Sequence, residues 1–207
     1  MSKYIYVFDF DSTITAEEVL PKIAKNYGLE DKMRKITEDT MQGVIPFKES
    51  FLGRISLIKN FSVNEMKKVT QNIKLNDELA NFIRNNHDRC YILTGSLDIF
   101  IEETVKKLNL GNNYFASKTI VNNDRIVEVT NVINKKNIMD QFVGKVIAVG
   151  DGNNDAEMIA MADVGIGFGG IRPIAPAVLD SCLIAVYDEH RLVKILESFE
   201  NGESYGQ

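Results

Sequence analysis

Three apolar runs lie far apart in the chain, and each ends in residues that carry a charge or a hydroxyl. That repetition constrains the fold more than any other feature. Residues 4–8 lead into Asp9-Phe10-Asp11-Ser12-Thr13, residues 90–93 into Thr94-Gly95-Ser96, and residues 146–149 into Gly150-Asp151-Gly152-Asn153-Asn154-Asp155. Short β-branched and aromatic runs bounded by polar residues read as buried strands. Helical patterns separate them from Asn76 onward. Asn76 and Asp77 can cap a helix carrying Leu79, Phe82 and Ile83, and a second helix carries Ile99, Ile101, Val105 and Leu108 and stops at Gly111. Residues 118–121 and 125–129 flank Asn122-Asn123-Asp124 as a hairpin, and two further strands are expected at 164–168 and 183–186. Strands alternating with helices predict an α/β fold: a doubly wound parallel sheet covered on both faces. Such sheets bind ligands beyond the carboxyl ends of their strands, where Asp9, Thr94 and Asp151 fall.

The stretch from Glu17 to Ile73 breaks this rhythm. Val19, Ile23, Ala24 and Tyr27 lie at helical spacing up to Gly28; Phe47, Phe51, Leu52, Ile55, Leu57 and Ile58 form a second apolar set, and Met66 and Val69 belong to a third. This is too much helix for one crossover connection. Residues 15–73 are therefore expected to form a small helical insertion into a core made of residues 1–14 and 74–207.

The chain has 207 residues and a formal charge of −5, which argues against nucleic-acid binding driven by net charge. It leaves an anionic small-molecule substrate open, because local cations can invert the field in a cleft. No apolar run approaches the roughly 18 residues of a membrane span. Cys90 and Cys182 sit in apolar surroundings and read as reduced core cysteines, and the N-terminus does not read as a signal peptide, so a cytoplasmic protein is expected.

Paired carboxylates at two strand ends suggest one divalent-metal site. Facing a phosphate ester, two acidic clusters would repel the dianion unless a cation intervened. Mg²⁺ suits oxygen ligands and commonly bridges carboxylates to phosphate. One Asp can then attack phosphorus and become an aspartyl phosphate. A second carboxylate two residues on can move the proton. Thr94 offers a hydroxyl, Gly95 allows a close backbone approach, and a lysine would neutralise charge on the transferring phosphoryl group.

Taken in order, Asp9-Phe10-Asp11-Ser12-Thr13, Leu93-Thr94-Gly95-Ser96, a lysine near 135, and Gly150-Asp151-Gly152-Asn153-Asn154-Asp155 resemble the four motifs of the haloacid dehalogenase superfamily. The resemblance implies Asp9 as nucleophile and Asp11 as general acid and base. It implies Mg²⁺ held by Asp9, the Asp11 carbonyl and Asp151, Asp155 supporting both the metal and the lysine, and Asn154 on the phosphate or its water. Lys135, with Ile138 and Met139 three and four residues later, fits the family lysine, and Lys136 stands as the alternative.

The insertion resembles the phosphoserine phosphatases within that superfamily, above all in Phe47-Lys48-Glu49-Ser50-Phe51-Leu52-Gly53-Arg54-Ile55-Ser56-Leu57. By that resemblance Glu18 meets a substrate ammonium, Arg54 its carboxylate, and Met41 and Phe47 form an apolar wall. Each has a duller explanation: a helix-dipole charge for Glu18, a solvated helix residue for Arg54, core packing for Met41 and Phe47, a helix cap for Thr94. Thr94 replaces the serine common in those enzymes, and Asn153 a smaller residue. Arg172, in Gly169-Gly170-Ile171-Arg172-Pro173, can face the site or solvent, and solvent is the favoured reading. The substrate implied is O-phospho-L-serine. The alternatives are another small phosphorylated metabolite handled by a capped phosphatase or phosphotransferase, and a receiver-like phospho-signalling domain. Asp11 and the insertion argue against the receiver.

Overall fold

The computed structural model describes residues 4–41 and 44–201, apart from the Met41 side chain. The expected apolar-wall role of Met41 thus lies outside the described residues. A seven-stranded sheet organises the chain, in the order β4-β3-β2-β1-β5-β6-β7. Its strands are β1 (Ile5–Phe8), β2 (Cys90–Leu97), β3 (Tyr114–Asn122), β4 (Arg125–Asn131), β5 (Val146–Gly150), β6 (Val164–Phe168) and β7 (Ile184–Val186). All neighbouring pairs are parallel except β3 with β4, so the sheet is mixed rather than wholly parallel. The exception is the anticipated hairpin, whose turn places Asn123 and Asp124 at φ of 47° and 60°. Asn and Asp tolerate that left-handed region better than other side chains.

Side-chain alternation along β1 feeds two cores. Tyr6 and Phe8 join Leu79, Phe82, Phe100 and Leu192 on one face, where α5 (Asp77–Asn85), α6 (Asp98–Lys107) and α10 (Glu189–Glu200) pack. Val7 joins Met139, Met158 and Val178 on the other, under α7 (Lys135–Met139), α8 (Ala156–Met161) and α9 (Pro176–Leu179). Gly165 in β6 is where α8 comes closest: a Cβ there would stand 2.5 Å from the Ile159 carbonyl oxygen. Gly165→Ala is expected to cost about 1–3 kcal/mol through overpacking, read as a lower thermal midpoint.

Between β1 and α5 run α1 (Val19–Lys25), α2 (Glu30–Met41), α3 (Phe47–Ile58) and α4 (Val63–Gln71). The chain leaves the sheet and returns side by side, with Thr15 bridging Leu75 and the Asn76 N–H donating to the Ile14 carbonyl. Asn76 does not cap α5 with its side chain. Its Nδ2 instead donates to the Thr13 carbonyl at 2.8 Å, tying down the turn that follows β1. The hairpin tip holds the far side of these helices: Asp124 accepts from the Ser62 hydroxyl at 2.5 Å and from the Asn64 N–H at 2.9 Å. The second core helix ends at Lys107, short of Gly111, because Asn109 already takes a positive φ. No helix among the described residues is long and apolar enough to cross a membrane.

Candidate active site

β1 stops at Phe8, and the chain then turns tightly through Phe10–Ile14 with Ser12 at φ 66°. That turn separates the two carboxylates of the first motif. Asp9, 5% exposed, drops to the floor of the site, while Asp11 stands at its side with Oδ1 accepting the Val19 N–H at 2.8 Å. The bond ties the start of α1 to the acidic junction.

Lys135 begins α7 behind an Asn134 cap, and it is buried. Its Nζ donates to Asp9 Oδ1 and to Asp155 Oδ1, each at 2.5 Å. Burial alone would lower the lysine, but Asp155 and Asp9 outweigh it and raise Lys135 above its ordinary value. Lys136 is exposed and reaches only Glu157 at 3.4 Å. Of the two candidate lysines, only Lys135 touches Asp9.

After β5, Asp155 folds back so that its Oδ2 accepts the N–H groups of Asp151 and Gly152 at 3.0 and 2.8 Å. Gly150 makes this possible, since a Cβ there would collide with the Asp155 side chain. Asp151 is fully buried; its Oδ2 accepts from Arg172, and Thr13 Oγ1 lies 3.5 Å from its Oδ1. Burial raises both Asp9 and Asp151 above the usual carboxylate range, with neighbouring carboxylates adding to the effect and Lys135 and Arg172 opposing it.

Oxygens of Asp9, Asp151 and Asp155 all lie within 4.8 Å of one another, close enough to converge on one metal ion. Hydrogen bonds hold all three in place: Asp155 accepts from Lys135 and from two backbone N–H groups, Asp151 from Arg172 and Thr13, and Asp9 from Lys135. Around them, Asp9, Asp11, Glu18, Asp151 and Asp155 face Lys135, Arg54 and Arg172, an excess of two negative charges if all are ionised. A divalent cation fits that deficit and the all-oxygen donor set.

Above this floor lies a cavity of about 70 Å³ that gathers Asp9, Asp11, Thr94, Gly95 and Asn154 from the core with Glu18, Phe47 and Arg54 from the helices between β1 and α5. β2 does not end at Leu93 as expected but continues through Leu97, carrying Thr94 and Gly95 along the cavity wall. Thr94 Oγ1 accepts the Ser96 N–H at 3.0 Å. Gly95 is needed for space: any side chain there would run into the Phe47 ring, which stacks on Phe51 at 5.7 Å. Arg54 donates weakly to Thr37 at 3.4 Å, and its Nε is buried with no hydrogen-bond partner among the described residues. Burial lowers Arg54 from the ordinary arginine range, against the pull of Asp11 and Glu18.

Arg172 corrects the sequence reading. It faces the site, bridging Asp151 and Glu18. Nothing in the loop composition signals this, because the two partners lie far away in sequence. Thr37, Thr40 and Ser96 also line the cavity and were not singled out. Asp11 is raised to about 6, chiefly by its enclosure in protein, with Glu18 adding to that and the Val19 N–H opposing it.

The acidic floor at the strand ends, bridged by the buried Lys135, thus lies beneath a cavity completed by residues between β1 and α5. The chain belongs to the haloacid dehalogenase-like hydrolases, whose family model matches residues 5–163. It is similar to the phosphoserine phosphatase of Methanocaldococcus jannaschii, at 29% identity over 87% of this chain and 92% of that one. It is similar also to the phosphoserine phosphatase of Lactococcus lactis, at 28% identity over 95% of each. Among solved structures it matches a phospho-aspartyl intermediate analogue of phosphoserine phosphatase with a TM-score of 0.81 and 26% identity, covering 94% of this chain and 99% of that one. A substrate-bound phosphoserine phosphatase complex matches with the same TM-score and coverage at 25% identity.

Proposed function

We propose that this enzyme is a Mg²⁺-dependent phosphomonoester hydrolase that converts O-phospho-L-serine to L-serine and phosphate through an aspartyl phosphate on Asp9. Its relatives support that reaction, and one observation in this chain carries the substrate assignment. Arg54 lines the same small cavity as Glu18 and Asp9, and its Nε is buried with no hydrogen-bond partner among the described residues. An unsatisfied buried guanidinium nitrogen is costly, and a carboxylate that grips the guanidinium in two places removes the cost. Glu18 supplies the opposite charge for an ammonium, so the cavity suits a zwitterion with a phosphate at one end.

The chain's own residues account for the steps. Asp9 attacks phosphorus with the oxygen not held by Lys135, and the bond from phosphorus to the serine oxygen breaks. Asp11 gives its proton to the departing alkoxide. At about 6 its carboxyl is protonated in about one molecule in ten at neutral pH, against about one in a thousand at the ordinary value of 3.8. Water then attacks the phospho-aspartate and loses a proton to Asp11, the bond from Asp9 to phosphorus breaks, and phosphate leaves. Lys135, Thr94, the Gly95 backbone and Asn154 steady the phosphoryl oxygens. Asp9, the Asp11 carbonyl and Asp151 would hold Mg²⁺, which offsets the repulsion between this acidic floor and a phosphate dianion.

Residues 15–73 act as a cap on the core of residues 1–14 and 74–207, supplying the groups that read the alcohol and excluding bulk water from the phospho-aspartate. The free cysteines suit a reducing cytoplasm. Arg54→Ala is expected to raise KM for phosphoserine by about 100-fold, the worth of a charged bidentate contact, with little change for an aryl phosphate that has no carboxylate. Steady-state kinetics on both substrates, with Mg²⁺ and with EDTA, test this. Equal effects on the two would remove Arg54 as the carboxylate reader, and no preference for phosphoserine across a panel of esters would overturn the substrate.

A further inference from the structure

Arg172 holds two carboxylates that serve different ligands. Its Nε donates to Oδ2 of Asp151 and its Nη1 to Oε1 of Glu18. Asp151 belongs to the group of carboxylates able to hold a metal, and Glu18 lines the cavity at the position that precedes α1. The guanidinium reaches between them over Gly152, where a Cβ would stand 3.4 Å from Nη2. Burial lowers Arg172, and Asp151 and Glu18 outweigh it.

We propose that Arg172 is the shared counter-ion of the metal ligand Asp151 and the ammonium reader Glu18, and that it couples the two binding events. This rests on the assignment of a zwitterionic amino-acid ester as substrate. A guanidinium gripped at both ends holds each contact with the help of the other. A divalent cation drawn to Asp151 competes with one grip and leaves the second as a single contact that an ammonium can displace more easily. The converse holds for an ammonium arriving first, because coupling between two sites is reciprocal. The sign is diagnostic. Without Arg172, a metal and an ammonium in one small site only repel, and each weakens the other. With it, each strengthens the other. Arg172 is thus a positioning residue for metal and substrate.

The test is Mn²⁺ binding to the full chain by calorimetry and electron paramagnetic resonance, with and without saturating L-serine. Wild type is expected to bind Mn²⁺ more tightly with L-serine, by about fivefold or more. Arg172→Gln is expected to bind Mn²⁺ more tightly than wild type in the absence of L-serine, and to lose the gain on adding it. A wild-type affinity for Mn²⁺ that L-serine leaves unchanged or weakens overturns the coupling, as does a Gln variant that keeps it. The wild-type comparison decides alone if the variant fails to fold. L-serine that does not bind the Mn²⁺-loaded wild type defeats the substrate assignment instead. The proposal then stands or falls on whether Arg172→Gln tightens Mn²⁺ binding.

Discussion

Asp9→Asn is expected to abolish turnover, by a factor of about 10⁴ or more, while the protein keeps its fold and its thermal midpoint. Loss of an attacking group costs at least that much when nothing nearby can replace it. Asp11 cannot, because its Oδ1 is committed to the Val19 N–H and it stands to the side of the Asp9 floor. Stability should barely move, for two opposed reasons. Neutralising residue 9 removes a buried charge that Asp155 and Asp151 repel, and it also removes one partner of Lys135, which keeps Asp155. Circular dichroism, a thermal melt and phosphate release check the variant together. Acid-quenched wild type should carry protein-bound phosphate and the variant none. Substantial residual Mg²⁺-dependent activity in Asp9→Asn would rule out covalent catalysis through this residue.

The second large effect separates two neighbouring lysines. Lys135→Ala strands Asp9 and Asp155 in the interior without their common cation. Removing one member of a buried charge cluster typically costs about 3–5 kcal/mol, so a clear fall in the thermal midpoint should accompany a loss of activity of about a thousandfold. Lys136→Ala breaks only a long, solvent-exposed contact to Glu157, worth at most about 1 kcal/mol, and turnover should stay near wild type. Combining Lys135→Ala with Asp9→Asn should restore part of the stability and none of the activity. If Lys136→Ala proved the damaging change, the assignment of the phosphate-side lysine would have to be reversed.

The strands were legible because burial on both faces leaves continuous apolar runs, and β1, β5 and β6 fall where those runs do. The extent of β2 was not. Thr94-Gly95-Ser96 has loop composition, yet the segment stays extended to Leu97, where Ser117 lies alongside it in β3. Among the helices of the insertion, α2 gave no apolar set because only Met33 and Thr40 are buried among its described side chains. Local capping chemistry misled at Asn76, whose side chain serves a turn far away in sequence. In the acidic floor, Asp9 and Asp151 could be read from the strand ends they follow, while the role of Asp155 entered only through the resemblance to the four motifs. Arg172 could not be read, because its place depends on how a late loop folds over two distant carboxylates. Spacing to Ile138 and Met139 favours Lys135 over Lys136, and α7 shows it pointing inward onto Asp9 and Asp155.

The contact between Gly95 and Phe47 has a consequence for how this enzyme could be made to accept other esters. The aromatic ring rests against bare backbone, where a Cβ would stand 2.3 Å from it. A single methyl group, as in Gly95→Ala, would work as a doorstop. Phe47 would be pushed away from β2, and phosphorylated alcohols bulkier than serine are expected to gain relative to it in kcat/KM. On that outcome, selectivity would depend partly on a side chain that is missing.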